Sequence, residues 1–244
     1  MKRMIPVIAL AIVLASSSAW AADATAALDL NSAYVWRGMT ANDGLVAQPS
    51  MNVAKNGFAF NTWANFDLSD YNDRLDKNNF SEVDLTLSYS HTFNKLAATA
   101  GVIEYLFPAT AKTAVNGTRE LFASLSHPII GGLSAGVDFY YDVDENHGYY
   151  GDVGLTYSMD LVENLSLAAS GKAGLASKEW AVYYGGEDGG WHDYILRLAL
   201  TYALSKELSV GANINYADTL DKKVLPTEIA KTNLFGGVNV TYNF

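Results

Sequence analysis

From Val238 to Phe244 every second residue is apolar or aromatic, with Asn239, Thr241 and Asn243 in between. Side chains alternate across a strand, so this segment has one greasy face and one polar face. Comparable dyads recur along the chain. Bounded by turn residues, they read as about twelve strands near 27–37, 44–54, 57–67, 80–93, 96–107, 118–127, 132–142, 148–158, 164–175, 191–203, 207–217 and 232–244. Hydrophobic residues make up 50% of the sequence, yet after the first twenty or so residues no uncharged apolar run is long enough for a membrane helix. A chain that crosses hydrocarbon on strands must satisfy every backbone group by closing on itself. The expected fold is therefore all-β: one closed, up-and-down antiparallel barrel with lipid outside and a wet interior.

Lys2 and Arg3 precede an apolar stretch from Met4 to Ala15, followed by Ser16-Ser17-Ser18 and Ala19-Trp20-Ala21. This reads as a secretory signal peptide, 1–21, cleaved after Ala21, which leaves 22–244 as a single barrel domain with no linker composition inside it. Loss of Lys2 and Arg3 leaves 14 basic residues against 26 acidic ones, a formal charge of −12. Such a chain repels nucleic acid. The absence of cysteine removes disulfides and thiolate metal sites, and no cofactor or metal is expected.

Connections alternate between short and long. The short ones are Lys55-Asn56-Gly57, Asn94-Lys95, Ile130-Gly131-Gly132, Asp160 to Asn164 and Ser205-Lys206-Glu207; the long ones include Leu68 to Asn79, Pro108 to Gly117, Ser177 to Gly190 and Ala217 to Lys231. Short periplasmic turns and longer extracellular loops give this pattern in the outer membrane of a Gram-negative bacterium, with both termini periplasmic. Leu87-Ser88-Tyr89, Leu155-Thr156-Tyr157, Leu200-Thr201-Tyr202 and Val240-Thr241-Tyr242 end the descending strands, so their tyrosines form one aromatic girdle. Val240, Tyr242 and Phe244 serve as the membrane-insertion signal presented to the barrel-assembly machinery, and lipid and lipopolysaccharide are the expected surroundings. A soluble β-sandwich explains neither the terminal Phe nor the alternation of loop lengths.

With the apolar set on lipid, the other set lines the lumen. Ser166, Ser170, Asn213, Asn215, Asn239 and Thr241 make it polar, and Glu82, Asp84, Glu120, Asp138, Asp152 and Asp193 make it acidic against Arg37, Lys172 and Arg197. Carboxylates in such a place are either wet or paired. Wet, they attract cations and give a narrow porin-like channel for small solutes; paired, they mark a filled or loop-plugged structural barrel without conductance. One strand resists this scheme, because placing Leu96, Ala98, Ala100 and Val102 on lipid sends Glu104 outward too, unless a bulge intervenes or Glu104 lies at the rim.

The most distinctive string is Ser32-Ala33-Tyr34-Val35-Trp36-Arg37-Gly38-Met39-Thr40, followed by Asp43-Gly44 and by Phe60-Asn61-Thr62-Trp63-Ala64-Asn65. In these residues the chain resembles the Gcw-type family of conserved hypothetical bacterial outer-membrane proteins, which share a Ser-x-Tyr-x-aromatic-Arg-Gly stretch and a Trp-containing strand. The resemblance implies a barrel and names no substrate. From the residues themselves, Tyr34 and Trp36 read as interface-belt aromatics, with Gly38 relieving a turn. The functional reading makes Arg37 a constriction at the extracellular mouth, paired with Asp67 or Asp43.

Asp142-Val143-Asp144-Glu145-Asn146-His147-Gly148 starts like a calcium loop, but His147 and Val153 stand where Gly and the bidentate Glu are required. Asp67, Asp70, Asp73 and Asp76 read as an open polar loop, and Gly185 to Gly190 as a flexible acidic tip with no phosphate-binding Lys or helix. No catalytic residues are nominated. A twelve-strand outer-membrane phospholipase family uses a His-x-Ser-Asn-Gly string, and none of His91, His127, His147 and His192 is followed by that Ser, so a hydrolase is the remote alternative. A basic lumen would suit acidic oligosaccharides, whereas Trp63, Tyr140, Asn61 and Asn65 would suit a neutral ring.

Overall fold

The computed structural model describes residues 22–71, 76–108 and 117–244. The expected leader, Asp73 of the expected Leu68 to Asn79 loop and most of the expected Pro108 to Gly117 loop lie outside them. In chain order the elements are β1 (Asp23–Asn31), β2 (Tyr34–Trp36), β3 (Met39–Asn42), β4 (Val46–Lys55), β5 (Phe58–Asp67), β6 (Asn79–Phe93), β7 (Leu96–Leu106), β8 (Thr118–Ile130), β9 (Leu133–Asp142), β10 (Tyr149–Val162), β11 (Leu165–Ala176), α1 (Lys178–Tyr183), β12 (Gly190–Ala203), β13 (Leu208–Thr219) and β14 (Leu234–Asn243).

Among the described residues, β1 and β4 to β14 close a twelve-strand barrel in which each strand is antiparallel to its neighbours. Closure is made by the dyad-patterned ends of the chain: β14 pairs with β1 from Thr25↔Asn243 to Asn31↔Gly237, and the Phe244 amide donates to Ala24 O at 2.9 Å. Left without this last pairing, both strands would present an unsatisfied edge to lipid.

The alternation resolves as expected. Leu87, Leu121, Leu155, Leu196, Ile214 and Val238 are exposed on the outer skin, and Tyr89, Tyr157, Tyr202 and Tyr242 face outward near the short-turn end. The tight connections use residues able to adopt positive φ, including Asn56 (52°) with Gly57 (87°) and Gly131 (54°) with Gly132 (85°), as hairpin turns require. Glu104 proves to be a rim residue. No register shift interrupts β6–β7, and Glu104 on β7 meets Arg119 on β8 at 2.7 Å, with Asp144 3.9 Å from the same guanidinium.

The first strand departs from its expected 27–37 span, running from Asp23 to Asn31 and then leaving the wall. Residues beyond Asn31 turn into the barrel as a separate hairpin, β2–β3. Tyr34 and Trp36 are therefore not belt aromatics: Tyr34 is buried with its ring 5.4 Å from Trp63, and Trp36 packs on the interior cluster. The alternation that would seat them in lipid equally well seats them against interior rings.

A core lies inside the long-loop end of the barrel. Met39 from the hairpin, Tyr150, Ala176, Trp180, Ala181, Val224, Leu225 and Ala230 form its buried part, with Trp36, Tyr140, Tyr184 and Ile229 packed around them. Three loops supply most of this cluster, so the mouth is filled as a small hydrophobic core would be.

Candidate functional site

At the turn of the β2–β3 hairpin, Arg37 and Gly38 both have left-handed backbone, with φ of 48° and 75°. Glycine is needed at 38 for space as well, because a Cβ there would lie 2.5 Å from Asp193 Cβ and 2.9 Å from Leu225 Cδ2. This tight turn drives Arg37 into the barrel. Its Nη1 and Nη2 donate to Glu120 Oε1 and Oε2, each at 2.7 Å, and Tyr105 Oη donates to Glu120 Oε2 at 2.8 Å. The guanidinium carbon is 4.3 Å from the Trp36 and Tyr140 ring centroids, 4.6 Å from Tyr150 and 5.7 Å from Trp180. Only 8% of the Arg37 side chain and 2% of Glu120 are exposed. Burial works against the Arg37 charge, but the Glu120 carboxylate outweighs it, so the guanidinium pKa is raised. The expected partners Asp67 and Asp43 are not the ones used.

The surrounding loops lock this hairpin in place. Thr40 N donates to Ile229 O and Thr232 N to Thr40 Oγ1, both at 2.9 Å. Helix α1 starts at the cap Ser177, whose hydroxyl accepts from Trp180 N, and it delivers Trp180 fully buried into the cluster. The Gly185 to Gly190 segment is a docked strap and not a loose tip: Gly186 N donates to Ala181 O and Glu187 N to Lys223 O, at 2.7 and 2.6 Å. Burial pushes up the Tyr184 phenol just beyond α1. Beneath it, Tyr150 Oη donates to Asp193 Oδ1 at 2.9 Å, and His192 Nδ1 lies 2.9 Å from the same oxygen.

A buried amide ladder, which the sequence reading missed, ties the far end of the hairpin to the wall. Asn31 donates to Gln48, Gln48 to Asn65, and both Asn65 and Asn42 to Asp67 Oδ1, over 2.7 to 3.0 Å. The signal was available, since Asn31, Gln48, Asn65 and Asp67 share inward parity on successive strands. Asp142 is similarly consumed by structure: it accepts from Asp144 N, Glu145 N and Asn146 Nδ2 within its own turn and from Thr118 Oγ1 at the start of β8. Among the described residues no group of three or more His, Asp or Glu is arranged to hold a metal.

Below the plug, inward-facing charges pair across the interior. Asp138 and Asp152 sit opposite each other on β9 and β10, and Lys172 Nζ reaches both, at 2.7 and 2.9 Å. The Lys172 stem lies over Gly154, whose added Cβ would come within 2.6 Å of Lys172 Cγ. Although it faces inward, the Lys172 side chain is 42% exposed. Arg197, also inward and exposed, donates weakly to Asn215 at 3.5 Å, and Asn215 in turn donates to Asn213. Glu82 and Asp84 face inward on β6, with Glu82 nearly buried near the hairpin. The sequence-derived charges thus fall into two groups: Arg37, Glu120 and Asp193 with Glu82 and Asp84 in or beside the plug, and Asp138, Asp152, Lys172 and Arg197 below it.

A family model described as a bacterial protein of unknown function, Gcw_chp, matches residues 15–242. The chain belongs to the Gcw_chp family. No curated protein matches the sequence. Among solved structures, the KdgM porin in complex with disordered oligogalacturonate is similar, with a TM-score of 0.56 and 10% identity, covering 91% of this chain and 99% of that one. The COG4313 outer membrane channel from Pseudomonas putida F1 gives a TM-score of 0.57 at 9% identity over 91% and 95% of the two chains, and the NanC porin 0.51 at 11% over 91% and 98%. At these identities the likeness is one of fold: this Gcw_chp chain has the architecture of outer-membrane porins and channels. The string that carried the family resemblance, Ser32 to Thr40, is the hairpin that plugs the mouth.

Proposed function

We propose that this Gcw_chp barrel is a narrow porin-like channel for small solutes, with an acidic, cation-preferring lumen whose outer mouth is closed in this conformation by the β2–β3 hairpin. One observation supports the reading: although Asp138 and Asp152 are only 21% and 10% exposed, the inward cations below the plug, Lys172 at 42% and Arg197, stay exposed. A lumen packed shut by side chains would bury them. The long loops face the exterior and both termini the periplasm, the first 21 residues act as a cleaved leader, and Val240, Tyr242 and Phe244 engage the assembly machinery from the closing strand. Lipid and lipopolysaccharide surround the skin.

Below the plug two carboxylates, Asp138 and Asp152, face two cations, Lys172 and Arg197, so the acidic character comes from the inner wall as a whole, where six carboxylates face three cations. A wall with that excess raises the local concentration of cations and excludes polyanions. This sets the chain apart from the similar porin solved with oligogalacturonate, an acidic chain. Planar-bilayer recording under a salt gradient tests the reading. The reversal potential should report cation preference and move toward zero when Glu82, Asp84 and Asp138 are neutralised together as Gln, Asn and Asn; an unmoved potential refutes the lumen assignment.

The aromatic cluster across the mouth favours a second reading, a loop-plugged structural barrel that never conducts. On that reading, variants that release the hairpin stay silent in the same recordings. No enzymatic role is assigned, because His91 and His127 lie toward the short-turn end while His192 is buried in the plug.

A further inference from the structure

The groups that hold Arg37 belong, with one exception, to the barrel and not to the hairpin. Glu120 stands on β8 and is oriented by Tyr105 from β7; Tyr140 and Tyr150 rise from β9 and β10, and Trp180 from α1. Only Trp36 travels with Arg37. If the hairpin withdraws, the barrel keeps an unpaired carboxylate beside three aromatic faces, a setting that attracts a counter-cation.

The shape of the pocket selects the cation. Both oxygens of Glu120 are met in parallel by two N–H donors at 2.7 Å, a fork that a planar guanidinium matches and a point-like ammonium does not. The ring faces favour a weakly hydrated cation over a strongly hydrated metal ion.

We infer that this pocket is a recognition site for small solutes bearing a guanidinium group, and that Arg37 is a tethered occupant which such a solute displaces, freeing the hairpin. Opening of the mouth on displacement rests on the channel reading; binding in the pocket does not. A tethered group competes at an effective concentration on the order of millimolar, so a free guanidinium solute acts in and above that range.

The test uses the refolded chain in detergent, with folding verified by circular dichroism and heat-modifiable gel migration. Arg37→Ala is titrated with guanidinium chloride and, at matched ionic strength, with sodium chloride, reading tryptophan fluorescence in a background where Trp63 and Trp191 are replaced by Phe so that Trp36 and Trp180 report; Arg37→Gln is the second variant should Arg37→Ala fail to fold. A saturable guanidinium response, about tenfold weaker or absent for sodium, is expected, and it should vanish when Glu120→Gln is added. Equal responses to the two salts, or a guanidinium response that survives Glu120→Gln, overturn the proposal. Bilayer recordings of the same variants separate the two readings: specific binding without any current refutes the channel and leaves the pocket, whereas current without specific binding refutes the pocket and leaves the channel.

Discussion

The Arg37–Glu120 pair is enclosed on every side, and this governs its response to substitution. Removing one member of a buried pair strands the other charge and costs about 3–5 kcal/mol, while replacing both by apolar groups of similar size is close to neutral. Urea unfolding in lipid vesicles should therefore show Glu120→Gln and Arg37→Met each strongly destabilising and the Arg37→Met/Glu120→Met double variant much less so. Additive losses would mean that the two side chains do not act as a pair. The rim ion pair is the contrast. Arg119 and Glu104 are both substantially exposed at 2.7 Å, so Arg119→Gln should change stability by under about 1 kcal/mol in the same assay.

At the scale of elements, the plug is separate from the ladder that closes the barrel. The hairpin pairs with itself and lies outside the ladder of wall strands, so replacing 33–43 by a short Gly-Ser link should leave a barrel that still shows heat-modifiable migration. Failure to assemble would show that the hairpin is part of the folding core. The wall strands were legible in the sequence because Val, Leu and Tyr at period two next to Asn-Gly and Gly-Gly turns admit only one register. The hairpin was not: Tyr34 and Trp36 carry the same alternation, and nothing local says whether the apolar partner is lipid or Trp180. Helix α1 was hidden for a different reason, being six residues long and held by Ser177 and its tertiary contacts more than by its own periodicity.

For the whole molecule, parity along the strands placed Glu82, Asp84, Glu120, Asp138, Asp152, Lys172, Asp193 and Arg197 on the inner wall, but parity says nothing of height along the barrel axis. Height is what divides the buried latch from the charges below it, and it emerges only when three distant loops meet over the mouth. In the proposed channel this division sets the order of events: the plug decides whether solute passes, and the charged inner wall decides which. Single-channel recording of the wild-type chain beside the hairpin-deleted chain tests this most directly. The account predicts rare or no openings in the first and a steady, cation-preferring unitary current in the second; silence from both, or equal currents from both, contradicts it.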